Sequence, residues 1–360
     1  MTRRGLLRLL IPAGLAGLAG PAWWNWSKSR NPYYSGPVTD HFDGVRFFNP
    51  EHLWSKSFGD LWRGVWFSEK TPWPESRPLA EPAVPPARIE GRGLRVTAIG
   101  HASHLIQAAG LNILTDPVWS ERCSPVSFAG PKRVTPPGIA FDDLPEIDVV
   151  LISHNHYDHL DVATLSRLAA RDAPRVIVPL GNDAIIKAHD ASIRTEAYDW
   201  GARVPLSGDV AAHPLPAYHW SARGATDRRK ALWCAYALDL GPAGKLYFAG
   251  DTALVGGATF RNAAKDHGPF RLAILPIGAY EPRWFMKDQH MNAEEAVEAF
   301  GLLGAEAAIG CHWGVFRLTA EGIDAPVEQL AASLAAKGLA PERFRALRPG
   351  EAWEGRAPAA

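Results

Sequence analysis

The stretch that most restricts what this chain can become runs from Leu151 to Leu160, where an apolar run gives way to His154, His156, Asp158 and His159. Ile147, Val149, Val150, Leu151 and Ile152 read as a buried strand, so the polar cluster begins where the chain leaves a sheet. His154 and His156 are two apart, and in extended backbone both imidazoles leave on the same side and can share one cation. Asp158 and His159 follow a turn and point toward a second cation beside the first. Zinc accepts imidazole and carboxylate ligands at about 2.0–2.2 Å in a tetrahedral arrangement. A lone His-x-His pair is most often a polar loop; this density of ligands reads as a metal site.

The 360 residues suit one layered α/β domain with an N-terminal extension. Lys plus Arg equal Asp plus Glu at 38 each, so no long-range positive field draws in a polyanion, and nucleic acid is disfavoured as a substrate. Cys123, Cys234 and Cys311 show no paired spacing, which argues against a disulfide framework. Cys311 precedes His312 but reads as a small buried core residue.

Residues 1–22 open with Arg3 and Arg4 and continue apolar to about Gly20, the charge layout of a signal or anchor-like segment; the order resembles a twin-arginine export signal. That start implies a membrane-associated or periplasmic protein, with a cytoplasmic one as the alternative. Residues 23–93 form an aromatic and Pro-rich extension, with Trp23, Trp24, Trp26, Trp54, Trp62, Trp66 and Trp73, suited to packing on the domain or to a membrane interface. The catalytic domain is expected over 94–350, and 351–360 as a tail. Strands are expected at 95–99, 103–107 and 111–115, with Ala109-Gly110 as a hairpin turn. Asp161 caps a helix carrying Leu165, Leu168 and Ala169, and 175–180 is the next strand. In the second half strands fall near 211–212, 232–240, 245–248, 272–277, 307–311 and 344–347. Asn292 and Glu295 form a capping box before a helix over 293–303, and another helix spans 326–337.

The His-x-His-x-Asp-His string resembles the signature of the metallo-β-lactamase superfamily. The long run from Gly268 to Ala296, together with 130–133, 248–252 and 312–316, is similar to the N-acylphosphatidylethanolamine-hydrolysing phospholipase D family within it. The resemblance spans roughly residues 94 to 320. It implies an αββα sandwich of two similar halves and a binuclear zinc hydrolase, although Fe or Mn suits similar ligands. It assigns His154, His156 and His219 to one zinc, Asp158, His159 and His312 to the other, and Asp251 as the bridge. His213 competes with His219, but the Trp-Ser after His219 decides for the latter. Asp116 resembles the carboxylate under the metal loop that orients the ligands. His101 and His104 read as hydrogen-bonded structural histidines. The resemblance also places His290 and Tyr157 at the substrate phosphate, with His290 able to protonate the departing alkoxide. Ser127 and Phe128 stand where the family offers polar side chains to an amide.

Two cations about 3.5–4 Å apart can activate a shared water and clamp a phosphoryl group, which suits phosphodiester cleavage with Asp158 and Asp251 in the reacting centre. The expected function is therefore phospholipase D-type hydrolysis of N-acylphosphatidylethanolamine or a related glycerophospholipid at a membrane surface, by a chain that can pair as a homodimer. The alternative is hydrolysis of a small soluble phosphate ester or lactone. A nuclease and a non-enzymatic metal-binding module rank below these.

Overall fold

The computed structural model describes residues 29–51, 70–79 and 82–355. The export-like segment and Trp23, Trp24, Trp26, Trp54, Trp62 and Trp66 lie outside the described residues. Among the described residues no helix is long and apolar enough to cross a membrane.

The first half runs β1 (Leu94–Gly100), β2 (Ser103–Ala108), β3 (Leu111–Thr115), β4 (Val149–Leu151), α1 (Val162–Arg171), β5 (Arg175–Pro179), α2 (Asn182–His189) and β6 (Thr195–Tyr198). The second runs β7 (Val204–Ser207), β8 (Val210–Leu215), β9 (Ala235–Asp239), β10 (Lys245–Phe248), α3 (Ala258–His267), β11 (Leu272–Pro276), α4 (Arg283–Met286), α5 (Ala293–Leu303), β12 (Ala307–Cys311), α6 (Ala325–Ala336), β13 (Phe344–Arg345) and β14 (Ala352–Glu354). The strands form two seven-stranded sheets, ordered β14-β1-β2-β3-β4-β5-β6 and β13-β12-β11-β10-β9-β8-β7. In each, an antiparallel meander passes into a parallel run, β3 to β6 in one and β10 to β13 in the other. The halves therefore share a plan, as the sequence implied.

Period-two alternation divides neighbouring residues between two cores. Ile106, Ile113, Val149 and Leu151 face the opposite sheet, where they meet Leu238, Leu246, Phe248, Ile274 and Ile309. Leu105, Leu114, Val150 and Ile152 turn the other way, onto Leu165 and Leu168 of α1. Phe260 of α3, Phe300 of α5 and Leu330 of α6 cover the outer face of the second sheet. Each fully buried side chain of this size contributes about 1.5–3 kcal/mol, and the result is an αββα sandwich. Local signals set several boundaries. The side chain of Asp161 accepts Thr164 N–H at the start of α1, and the Asn292–Glu295 capping box starts α5.

Two expectations change. The tail expected from 351 begins as a strand: Ala352–Glu354 pair antiparallel with β1, with Trp353 opposite Val96, and cover that sheet's edge. The domain also extends toward the N-terminus beyond 94. Phe42 and Phe47 are buried in the second-half core, Asn49 Nδ2 donates to Ala217 O at 2.8 Å, and Trp73 Nε1 donates to Glu321 O at 2.9 Å.

Candidate metal centre

The histidines and aspartates singled out in the sequence converge at the C-terminal ends of strands. The segment 154–159 leaves β4, Asp251 follows β10, His312 follows β12, and His219 lies in the loop after β8. This is where open α/β sheets place their ligands. Gly250 has φ +58°, and a Cβ there would lie 2.6 Å from Ser153 Cβ, so glycine lets the Asp251 loop close onto the signature loop.

His154 Nε2 lies 2.9 Å from His156 Nδ1, which lies 3.2 Å from His219 Nε2. Ligands about 2.0–2.1 Å from one tetrahedral ion are about 3.3–3.4 Å from each other, so this spacing matches three ligands of one cation. On the other side Asp158 Oδ2 lies 3.5 Å from His159 Nε2 and 3.3 Å from His312 Nε2. Asp251 Oδ2 sits between the groups, 3.1 Å from His159 and His312 Nε2 and 3.8 and 3.9 Å from His219 and His154 Nε2.

The far side of the rings tells the same story. His154 Nδ1 lies 2.9 Å from Ser153 Oγ, His159 Nδ1 lies 2.7 Å from Asp116 Oδ2, and His219 Nδ1 lies 3.1 Å from Gln289 O. Donating there fixes the tautomer and leaves each Nε2 lone pair aimed inward. Asp116 Oδ1 also accepts Ser153 N–H at 2.7 Å and its Oδ2 accepts Ser153 Oγ–H at 2.6 Å. His159 Nε2, His312 Nε2 and Asp251 Oδ1 are buried without a hydrogen-bond partner. Buried atoms of this kind cost about 1–3 kcal/mol each when unsatisfied, and a cation satisfies them.

Electrostatics point the same way. Burial would raise the Asp251 carboxyl, but His159, His312 and His290 outweigh it and hold it well below the usual carboxylate range. Asp158 behaves alike, with His159, His101 and His312 overcoming burial. Burial lowers His156 to about 4 and His219 to about 3 against the pull of the carboxylates. His312 rises instead to about 9, because Asp251 and Asp158 outweigh its burial. Two buried carboxylates thus draw positive charge into the cluster, the demand that a divalent cation meets.

Above the cluster opens a cavity of about 390 Å³ with Tyr157, His290, Trp220, Phe285, Met286 and Leu318 in its walls. His290 Nε2 lies 3.8 Å from Asp251 Oδ2 and its Nδ1 has no partner. Tyr157 OH donates to Arg223 O at 3.1 Å, so the ring both lines the cavity and packs the loop. Phe128 is 81% exposed, while Ser127 lines a neighbouring cavity rather than this one. His213, on β8, packs against His267 outside the cluster. His104 bonds Ala102 O, and Cys311 is a buried free thiol.

Three contributors escaped the sequence reading. His101, expected to be a structural hydrogen bonder, does bond, but to Asp158 inside the cluster. Its signal was a histidine where a hairpin turn favours glycine or asparagine. Gln289 is buried between the His219 ring and Trp220, whose Nε1 donates to its Oε1. Arg223 donates to Asn155 O at 3.1 Å and to Leu160 O at 2.8 Å, clasping both ends of the signature loop. Neither had a local sequence signal, since each acts across distant loops.

Comparison with known proteins follows the same outline. The beta-lactamase superfamily domain matches residues 111–313. Over 273 residues, 73% of this chain and 76% of the relative, the sequence is 39% identical to N-acyl-phosphatidylethanolamine-hydrolyzing phospholipase D 1 of Caenorhabditis elegans. It is 33% identical over 270 residues to the mitochondrial N-acyl-phosphatidylethanolamine-hydrolyzing phospholipase D of Saccharomyces cerevisiae, covering 73% of this chain and 58% of that one. Among solved structures, Igni18, a metallo hydrolase from Ignicoccus hospitalis, superposes with a TM-score of 0.53 at 20% identity, covering 73% of this chain and 99% of that one. An isothiocyanate hydrolase from Delia radicum gut bacteria gives 0.59 at 17% identity, covering 73% and 99%. At these identities the two structures speak to the fold.

Proposed function

Because the chain belongs to the N-acylphosphatidylethanolamine-hydrolysing phospholipase D-like family of the metallo-β-lactamase superfamily and is a metal-dependent hydrolase, we propose that it cleaves N-acylphosphatidylethanolamine or a related glycerophospholipid to N-acylethanolamine and phosphatidic acid. The observation that carries this reading is the convergence of His154, His156, His219, Asp158, His159, His312 and Asp251 beneath a cavity walled by Phe285, Met286 and Leu318. The first three side chains would hold one zinc and the next three a second, with the Asp251 carboxylate between the two groups. Zinc bound there supplies Lewis acidity toward the phosphoryl oxygens and lowers the pKa of water.

The chain's own residues do the rest. His290 faces the cluster from the cavity wall; burial lowers it to about 3, so its neutral ring contacts the phosphate as an N–H donor to a phosphoryl oxygen, and the departing alkoxide takes its proton from water. Tyr157 flanks the same phosphate. Apolar walls keep bulk water from the reacting phosphorus and accept the acyl portion of a lipid. Residues 1–22 and the aromatic extension bring the protein to a membrane surface, through an export-like leader.

The test is product identification. Zinc-loaded protein is offered vesicles containing N-acylphosphatidylethanolamine alongside water-soluble phosphate esters and lactones, and products are identified by mass. Release of N-acylethanolamine with phosphatidic acid supports the reading. Turnover of the soluble compounds with vesicles untouched overturns it in favour of a small-ester hydrolase.

A further inference from the structure

His101 stands in the turn that joins β1 to β2, bracketed by the Gly100–Ser103 pair, with φ of +58°. A side chain in the left-handed region costs roughly 1–2 kcal/mol, and glycine or asparagine is the ordinary occupant of such a turn. Non-glycine residues held there against local preference concentrate at functional sites. The imidazole is also buried, with its side chain 1% exposed, so it occupies its position at a cost in both backbone and solvation.

What it touches accounts for that cost. His101 Nε2 lies 2.9 Å from Asp158 Oδ2. Its backbone carbonyl accepts His312 N–H at 2.9 Å, and its ring lies 4.0 Å from the His312 ring, centroid to centroid. Its Nδ1 has no partner. Placing the ring proton on Nε2 lets His101 donate to the carboxylate, whereas the other tautomer would set two lone pairs against each other across 2.9 Å. One residue thus holds two of the three side chains assigned to the second zinc, Asp158 through its ring and His312 through its carbonyl.

We propose that His101 is a positioning residue for the second cation, holding Asp158 and His312 at the spacing that cation requires. This rests on the ligand assignment under Proposed function. Holding partners of this kind typically change metal affinity 10–100-fold.

Two substitutions separate this role from a merely structural one. Asparagine tolerates the left-handed backbone but its amide is too short to reach Asp158; glutamine carries an amide nitrogen near the position of Nε2. Metal content, competition with a chelator and the spectrum of the cobalt-substituted protein are measured for wild type, His101→Asn and His101→Gln, with thermal melting of the metal-free proteins. Wild type is expected to bind two ions. His101→Asn is expected to melt no lower without metal, yet to bind its second ion 10–100-fold more weakly, with His101→Gln restoring that affinity and the wild-type cobalt spectrum. A His101→Asn protein that holds both ions as tightly as wild type overturns the proposal. So does a His101→Gln protein as weak as His101→Asn with an altered cobalt spectrum, which would make the ring a ligand. Wild type taking up fewer than two ions would instead sink the ligand assignment itself.

Discussion

Asp116 Oδ2 lies 2.7 Å from His159 Nδ1, and the other nitrogen of that ring lies 3.1 Å from Asp251 Oδ2. A carboxylate at the end of β3 therefore sets the orientation of a ring at the centre of the cluster. Asp116→Ala leaves the Ser153 amide and hydroxyl and His159 Nδ1 buried without an acceptor. It should lower stability by about 2–4 kcal/mol and metal affinity 10–100-fold. Denaturant titration and chelator competition read the two effects; unchanged metal affinity would remove Asp116 from the supporting shell.

Arg223 is the clasp of the signature loop. Its guanidinium donates to carbonyls at both ends of the loop and lies 3.9 Å over the Tyr157 ring. Arg223→Ala should lower kcat and drop the melting temperature by several degrees, as expected for a loss of about 2 kcal/mol in a domain of this size. Arg223→Lys should rescue little, because a point charge does not reproduce the planar fork. Full rescue by lysine would show that charge alone matters.

His290 is assigned to the substrate rather than to a cation. His290→Ala removes a donor to the phosphate and should cost roughly 10²–10³ in turnover while elemental analysis still finds both ions. Loss of an ion in that variant would make it a ligand.

Away from the cluster, His41 ties the N-terminal segment to the loop after β6. Its Nε2 lies 2.8 Å from Asp199 and its Nδ1 2.6 Å from Asp40, and the Asp199 bond, outweighing burial, raises its pKa above the usual value. A histidine whose folded pKa exceeds its unfolded one stabilises fully below the unfolded value of about 6.5, and that stabilisation is lost as pH rises through the folded value. The melting temperature of wild type minus that of His41→Gln should be larger at pH 5.5 than at pH 9. A constant difference would show that the contact is packing and not charge.

Much of this was legible because the decisive signals are local. The signature from His154 to His159 is contiguous, the capping box sets the start of Ala293–Leu303, and the left-handed Gly304 sets its end. Asp161 likewise fixes the start of α1. Elements whose existence depends on a distant partner were not legible. Ala352–Glu354 are too short to show alternation and become a strand only by pairing with β1. Val204–Ser207 contains Pro205, which argues against a strand until one sees that β7 is an edge. Helix α2 opens after Gly181 without a side-chain cap, so no start signal marked it. His101 lies 57 residues from its partner Asp158, a juxtaposition created by the sheet.

The most direct test is the number of ions bound per chain, counted by elemental analysis on wild type and Asp251→Ala after metal loading and desalting, with lipid hydrolysis assayed on the same samples. Asp251 lies between the two ligand groups, so wild type should carry two zinc ions and the variant should lose metal and hydrolysis together. An Asp251→Ala protein that keeps both ions and its activity would contradict the account.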